Sequence, residues 1–170
     1  MAPKNGVFLG RYNGRVPFAI RDFQAADFDA LWRIDQTCFP SGISYSRAEL
    51  KFYMRRPSSF TLVAMGDPVG ETSANIAGFL IAEAGPRARG HIITIDVIAA
   101  ARRFGVGSLL LRAAEDRLIS AECRVVELET AVDNTSALSF YKRHGYSVMK
   151  TLPRYYSNGV DALALEKTLL

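Results

Sequence analysis

The chain has 170 residues, 49% of them apolar, and carries 21 Lys and Arg against 17 Asp and Glu, for a net charge of +4 at pH 7. That length suits one domain with a sizeable core, and the charge falls short of the basic stripe with interleaved aromatics that a nucleic-acid surface needs. No apolar run reaches membrane-spanning length, residues 1–16 hold no uninterrupted apolar stretch to act as a secretion signal, and Cys38 and Cys123 lie outside any metal or C-x-x-C spacing. Reduced thiols in a cytoplasmic protein without a metal site are therefore expected.

In chain order, the pattern predicts a leader over residues 1–17, then a domain over 18–170. The domain opens with a strand at 18–21, helices at 25–37 and 47–55, and strands at 60–65 and 76–83. Gly66-Asp67-Pro68 through Gly70 reads as a hairpin loop, and Gly85-Pro86 with Arg87-Ala88-Arg89-Gly90 as another. A β-branched run ends in a strand at Val97, and after it come a helix at 105–120, a strand at 124–130, a helix at 134–144 and strands at 146–152 and 161–168. Antiparallel strands and then strand-helix-strand crossovers predict an α/β single domain, a mixed and mostly antiparallel sheet flanked by helices.

The most informative segment joins the strand ending at Val97 to the next helix: Arg102-Arg103-Phe104-Gly105-Val106-Gly107. Its glycines fall at a helix N-terminus, where first-turn N–H groups lack intrahelical partners and the dipole is positive, so an anion close to bare backbone satisfies both. A Cβ at 105 or 107 would hold that anion away. A dinucleotide-binding turn is one reading, with Glu127 and Glu129 about 20 residues on, but it wants a third glycine where Leu110 stands; a Walker loop lacks its Gly-Lys-Ser/Thr. The pattern V-x-x-x-x-[RQ]-x-x-G-x-[GA] is completed by Val97, Arg102, Gly105 and Gly107. A second string, N-x-x-A-x-x-[FL]-Y-x-x-x-G-[FY], runs from Asn134 through Tyr141 to Tyr146, with Asn134 or Asp133 as helix cap and Gly145 as its stop.

Together the two strings resemble the acyl-CoA-binding segments of the GNAT superfamily of N-acetyltransferases. Leu128-Glu129 before Tyr141, then Arg154-Tyr155-Tyr156 and Asp161-Ala162, are similar to the RimI branch, which acetylates the N-terminal alanine of a ribosomal protein. The resemblance covers most of residues 18–168, including Cys38-Phe39-Pro40, and departs from the family at Ala99, where proline is usual, and at Ser41-Gly42-Ile43, where tryptophan commonly follows Phe-Pro. It implies a GNAT-like fold whose central strands splay to admit pantetheine, with acetyl-CoA as cosubstrate. It also implies that Ile95, Asp96, Val97, Arg102, Arg103, Phe104, Gly105, Val106, Gly107 and Ser108 hold the cofactor, with Asn134 on the pantetheine arm and Tyr141 near the sulfur. The backbone N–H of Val97 would receive the oxyanion.

In that reading Tyr141 is the general acid toward the departing thiolate and Glu129 the general base toward the amine. Tyr45 and Tyr155 are expected on opposite walls of the acceptor site, with Ile43 and Tyr156 beside them. His91 and His144 are read as capping or surface residues. The implied partner is an amine acceptor, foremost a protein N-terminus, with no membrane and no nucleic acid, acting as monomer or homodimer. A small-molecule amine or a lysine side chain as acceptor, a non-catalytic acyl-CoA-binding module and a nucleotide-binding oxidoreductase are the alternatives that the residues leave open.

Overall fold

The computed structural model describes residues 8–12, 15–66 and 75–169. Its strands form one eight-stranded sheet in the order β1-β2-β3-β4-β5-β6-β8-β7, where β1 is Phe8–Tyr12, β2 Arg15–Asp22, β3 Ser59–Met65, β4 Ile76–Ala84, β5 Arg89–Val97, β6 Val125–Ala131, β7 Ser147–Leu152 and β8 Ala162–Thr168. Only β5 and β6 run parallel; every other neighbouring pair is antiparallel. Among the described residues four α-helices cover the sheet: α1 Phe28–Cys38, α2 Arg47–Met54, α3 Val106–Ser120 and α4 Thr135–Arg143.

The expected elements recur within a few residues, apart from the start of the chain. Strand β2 begins at Arg15 and is preceded by β1, so the stretch expected as a leader contributes strands to the sheet. Antiparallel pairing with β2, from Phe8↔Ile20 to Tyr12↔Arg15, gives β1 the ladder partners that its own short sequence does not advertise. The Asp67-Pro68 turn and Gly70 lie outside the described residues; the flanking strands pair antiparallel to Met65↔Ile76, with Gly66 N–H donating to Asn75 O at 2.9 Å. The second hairpin closes where expected, Gly85 N–H donating to Arg89 O at 2.7 Å.

Two apolar layers hold the sheet between its helices. On one face Leu110, Leu111, Ala114 and Leu118 of α3 pack with Leu80, Ile92, Val126, Leu128 and Leu165. On the other, Leu31 and Ile34 of α1 and Leu50 of α2 cover Val63, Phe79 and Ile81. Strands β3 and β4 are buried through their middles, which is why both read as nearly continuous apolar runs rather than as alternation. Helix α2 starts at a capping box, Ser46 Oγ accepting from Glu49 N–H and the Glu49 carboxylate accepting from Ser46 N–H.

Two irregularities in β5 shape the centre of the sheet. Its pairing with β4 passes from Ile81↔Thr94 to Ala82↔Ile92, so Ile93 is one residue too many and forms a bulge. The extra residue inverts the alternation: Ile92 before it and Ile95 and Val97 after it all join the α3 layer. Pairing of β5 with β6 stops at Ile92↔Leu128, although β5 continues to Val97 and β6 to Ala131. The two central strands thus splay apart, as expected. Among the described residues no helix is long and apolar enough to cross a membrane, and Cys38 and Cys123 are free thiols.

Candidate active site

The splay opens above the start of α3. Gly105 is the residue before the helix and has φ +83°, a left-handed conformation that costs a residue with a Cβ about 1–2 kcal/mol. No atom lies within 4 Å of where its Cβ would stand, so the space above it is open. The first intrahelical bond is from Leu109 N–H to Gly105 O, at 3.0 Å, and the N–H groups of Val106, Gly107 and Ser108 precede that ladder. These are the donors that a phosphate at this helix end would use.

The side chains around the loop divide more sharply than the motif suggests. Val106 is buried in the α3 layer and offers a ligand only its backbone, while Phe104 is partly buried against the same layer. Gly107 differs from Gly105: a Cβ there would come within 3.3 Å of the Phe140 ring on α4, so the position is closely packed. Arg102 folds back, its Nε donating to Val97 O at 3.0 Å, with Nη2 3.8 Å from Cys38 Sγ. Its guanidinium ties the loop to the end of β5, and both Arg102 and Arg103 remain exposed cations beside the glycines. Ser108 Oγ is 2.9 Å from His144 Nε2, and His144 Nδ1 donates to Phe140 O at 2.8 Å, joining the first turn of α3 to the end of α4.

At the end of β5, Ile95 and Val97 face the α3 layer. Asp96 does not line the cofactor side with its carboxyl. It is 1% exposed, Oδ1 accepts from Thr94 Oγ1 at 2.6 Å, and Oδ2 has no partner. Burial above all, then the charge of Asp35, pushes its pKa well above the usual carboxylate range. Asn134 is the N-cap of α4, its Oδ1 accepting from Ala137 N–H at 3.1 Å, which leaves the amide nitrogen as its donor toward a ligand.

Glu129 stands on β6 one residue beyond the last β5–β6 pair, at the point where the strands part. Its Oε2 lies 2.7 Å from His91 Nε2; a carboxylate only accepts, so the imidazole nitrogen carries the hydrogen. His91 Nδ1 is 3.9 Å from Glu83 Oε1, and Glu83 Oε2 is 3.0 Å from Arg56 Nε, so charges alternate across the sheet from Arg56, just past α2, to β6. Burial works against a charged His91, but the bond to Glu129 and the charges of Glu129, Glu127 and Glu83 outweigh it and raise its pKa. Strand register makes this contact: His91 pairs with Glu83 on one side and with Glu127 on the other. Sequence reading left His91 outside the site because no local pattern shows which residue of β6 a β5 side chain will meet.

Tyr141 lies on the inner face of α4, 6% exposed, its ring packed edge-on to Tyr146 at 5.5 Å and Phe140 at 5.3 Å. Burial first, then the charges of Asp96 and Tyr156, pushes its phenol above the ordinary tyrosine range, so it holds its proton at any working pH. The raised pKa keeps the phenol protonated but makes it a weaker acid, so proton transfer to a thiolate would rely on close positioning.

Tyrosines crowd the opposite side of the opening. Tyr45, on the loop between α1 and α2, packs edge-on to Tyr53 at 5.3 Å and points its hydroxyl at Ile93 O, 3.4 Å away, on the bulge. Tyr155 and Tyr156, on the loop between β7 and β8, pack edge-on at 5.1 Å, and Tyr155 is 49% exposed. Burial raises both phenols, and Glu129 adds to the shift in each. The two loops are joined: Ser157 Oγ donates to Gly42 O at 3.0 Å and Asn158 Nδ2 to Ser41 O at 3.4 Å. The structure therefore brings Tyr45 and Tyr155 onto adjoining walls and adds Tyr53, which sequence reading did not single out.

A sheet that opens between two parallel strands, over a glycine-led helix and beside a carboxylate, is an arrangement suited to acyl transfer. The chain matches the Acetyltransferase (GNAT) family over residues 28–146, and it belongs to that family of acyltransferases, whose cosubstrate is acetyl-CoA. A Methanocaldococcus jannaschii protein named as an uncharacterized N-acetyltransferase is 32% identical over 149 residues, 87% of this chain and 90% of that one. An N-alpha-acetyltransferase of Sulfurisphaera tokodaii is 31% identical over 160 residues, 89% of this chain and 93% of its own. The crystal structure of Ard1 from Thermoplasma volcanium superposes with a TM-score of 0.79 at 28% identity, covering 90% of this chain and 98% of that one. The ribosomal-protein-S18-alanine N-acetyltransferase from Escherichia coli shares the fold, with a TM-score of 0.73 at 20% identity over 89% of this chain and 94% of its own.

Proposed function

We propose that this enzyme transfers the acetyl group of acetyl-CoA to the α-amine of a protein N-terminus, with Glu129 as base and Tyr141 as acid. The observation that carries the reading is the Glu129–His91 pair at the parting of β5 and β6, facing the tyrosine-lined opening. The names of the similar chains, N-alpha-acetyltransferase among them, support the same class of acceptor.

Acetyl-CoA supplies a thioester carbonyl. The backbone N–H groups of Val106, Gly107 and Ser108 bind its pyrophosphate, Arg103 adds charge at the loop, and the amide of Asn134 donates to the pantetheine arm. Backbone N–H at the end of β5, foremost that of Val97, binds the oxyanion that forms when the amine adds to the carbonyl. Glu129 takes the proton that the nitrogen sheds once the N–C bond has formed, and Tyr141 gives its proton to the sulfur as the C–S bond breaks.

Magnitude favours an α-amine. Moving a proton from an α-ammonium near 7.8 to a carboxylate near 4.3 costs about 5 kcal/mol at 1.36 kcal/mol per unit, so Glu129 is better suited to act after addition than before it. The acceptor must then arrive neutral, and an α-amine is about a third neutral at pH 7.5, against about one part in a thousand for lysine. Acetyl-CoA turnover against a panel of peptides with free and blocked N-termini, polyamines and free amino acids tests the reading. Turnover confined to free N-terminal peptides is expected; turnover confined to small amines would replace the acceptor.

A further inference from the structure

We propose that Asp35 is a positioning residue for the acceptor: from beneath, it clamps the α1–α2 loop so that Tyr45 stands fixed at the opening. The proposal rests on the N-terminal acetylation reading only in placing Tyr45 in the acceptor wall.

Asp35 is on the last turn of α1 and fully buried. Its Oδ2 accepts from the backbone N–H of Tyr45 at 2.8 Å and from Gln36 Nε2 at 3.0 Å. The same Gln36 nitrogen donates to Tyr45 O at 2.8 Å, so both backbone polar groups of Tyr45 are held by two consecutive residues of one helix. At its far end the Tyr45 side chain reaches the carbonyl of Ile93, the bulged residue where β5 prepares to leave β6. One aromatic thus spans from the buried carboxylate to the edge of the opening, and its orientation is set by the bond at its backbone.

A loop needing only a hydrogen-bond acceptor could use a neutral group, because burying an ionised carboxylate is costly. Asp35 bears that cost with Oδ1 unpartnered. What the charge adds is strength: a charge-assisted bond is roughly twice as strong as a neutral one. Burial pushes the Asp35 pKa up to about 6, while the bonds from Tyr45 and Gln36 pull it down; Glu49 of α2 raises it further. Asp96 of β5 and the Tyr45 phenol are the other ionisable groups coupled to it. The clamp is therefore at full strength above about pH 6 and weakens as the carboxyl takes up a proton below it.

Asp35→Asn keeps an acceptor for Tyr45 N–H but removes the charge. At pH 7.5 it should raise the acceptor KM about fivefold, the effect of trading a charged for a neutral bond, with kcat and acetyl-CoA Kd within about twofold of the parent. The parent-to-variant ratio of acceptor KM should close as pH falls from 7.5 to 5.5, which cancels the protonation of the amine itself. Hydrogen exchange gives a readout that needs no acceptor. The Tyr45 amide should lose protection in the parent through about pH 6 and show low, pH-independent protection in the variant. Unchanged Tyr45 protection, or an acceptor KM equal to the parent's, would overturn the proposal, and so would equal losses in KM, kcat and acetyl-CoA binding. If no peptide is acetylated at all, the N-terminal reading fails while the exchange measurement still decides for or against Asp35.

Discussion

His91 Nε2 and Glu129 Oε2 stand 2.7 Å apart across two parallel strands that cease to pair one residue beyond His91. The bond holds Glu129 at the mouth of the splay, where the proposed reaction places its base, with a histidine beside it. Glu129→Gln, which retains an acceptor for His91 but no basicity, should lower kcat by about 10²–10⁴-fold with acetyl-CoA Kd little changed. Steady-state kinetics with calorimetric Kd would check it. A kcat within twofold of the parent would reduce Glu129 to a structural ion-pair partner.

The same pair predicts a pH-dependent stability. The folded pKa of His91 is raised, so its contribution is fully present below its ordinary value and is lost as pH rises through the raised one. His91→Asn should therefore cost more stability at pH 6 than at pH 9. With both side chains partly exposed, 30% and 22%, screening holds the difference to about 1 kcal/mol, or about 2–4 °C in Tm for a domain of this size. Melting curves of parent and variant at the two pH values decide it; a larger cost at pH 9 would contradict the assignment.

Tyr141→Phe isolates the hydroxyl from the ring. The ring's contacts with Phe140 and Tyr146 survive the substitution. If the hydroxyl protonates the thiolate, kcat should fall about 10- to 1000-fold while Tm and acetyl-CoA Kd hold. Retained turnover would return Tyr141 to the core.

The two loop glycines should fail differently. Gly105→Asn is compatible with positive φ, since asparagine enters the left-handed region readily, and its side chain would fill the open space above the loop. Acetyl-CoA affinity should drop by tenfold or more, about 1.4 kcal/mol or greater, with little change in Tm. Gly107→Ala pushes instead against Phe140 and should show the loss in Tm, with a smaller effect on affinity. Calorimetry and thermal melts on both variants read the contrast; equal affinity losses would mean that both positions face the ligand.

Most of the scaffold could be read from periodicity and punctuation. The β-branched run before Val97, the helical spacing of Val106, Leu109, Leu110, Ala113 and Leu118, and the Asn134-to-Gly145 helix signals are local, and local signals survive folding. The start of the chain does not read in this way: residues 1–17 are expected as a leader, whereas Phe8–Tyr12 and Arg15–Asp22 pair as strands. The features that could not be read depend on register and on packing between distant elements. A bulge at Ile93 decides which way Thr94 and Asp96 face. Parallel pairing of β5 with β6 brings His91 to Glu129 across 38 residues of chain. A Cβ at Gly107 would crowd Phe140, and Arg102 bonds back to Val97 O. Each is a contact that no spacing within one element encodes.

The choice of acceptor is the central claim, and a peptide bearing one free α-amine and one lysine tests it within a single molecule. Mass spectrometry of the acetylated product locates the group. The neutral fraction of an α-amine near pKa 8 exceeds that of a lysine near 10.4 by about a hundredfold, so acetylation at the α-amine should be faster by at least about that factor. The rate should rise with pH toward a plateau near 8, and blocking the α-amine should abolish turnover. Acetylation mainly at the lysine would contradict the account.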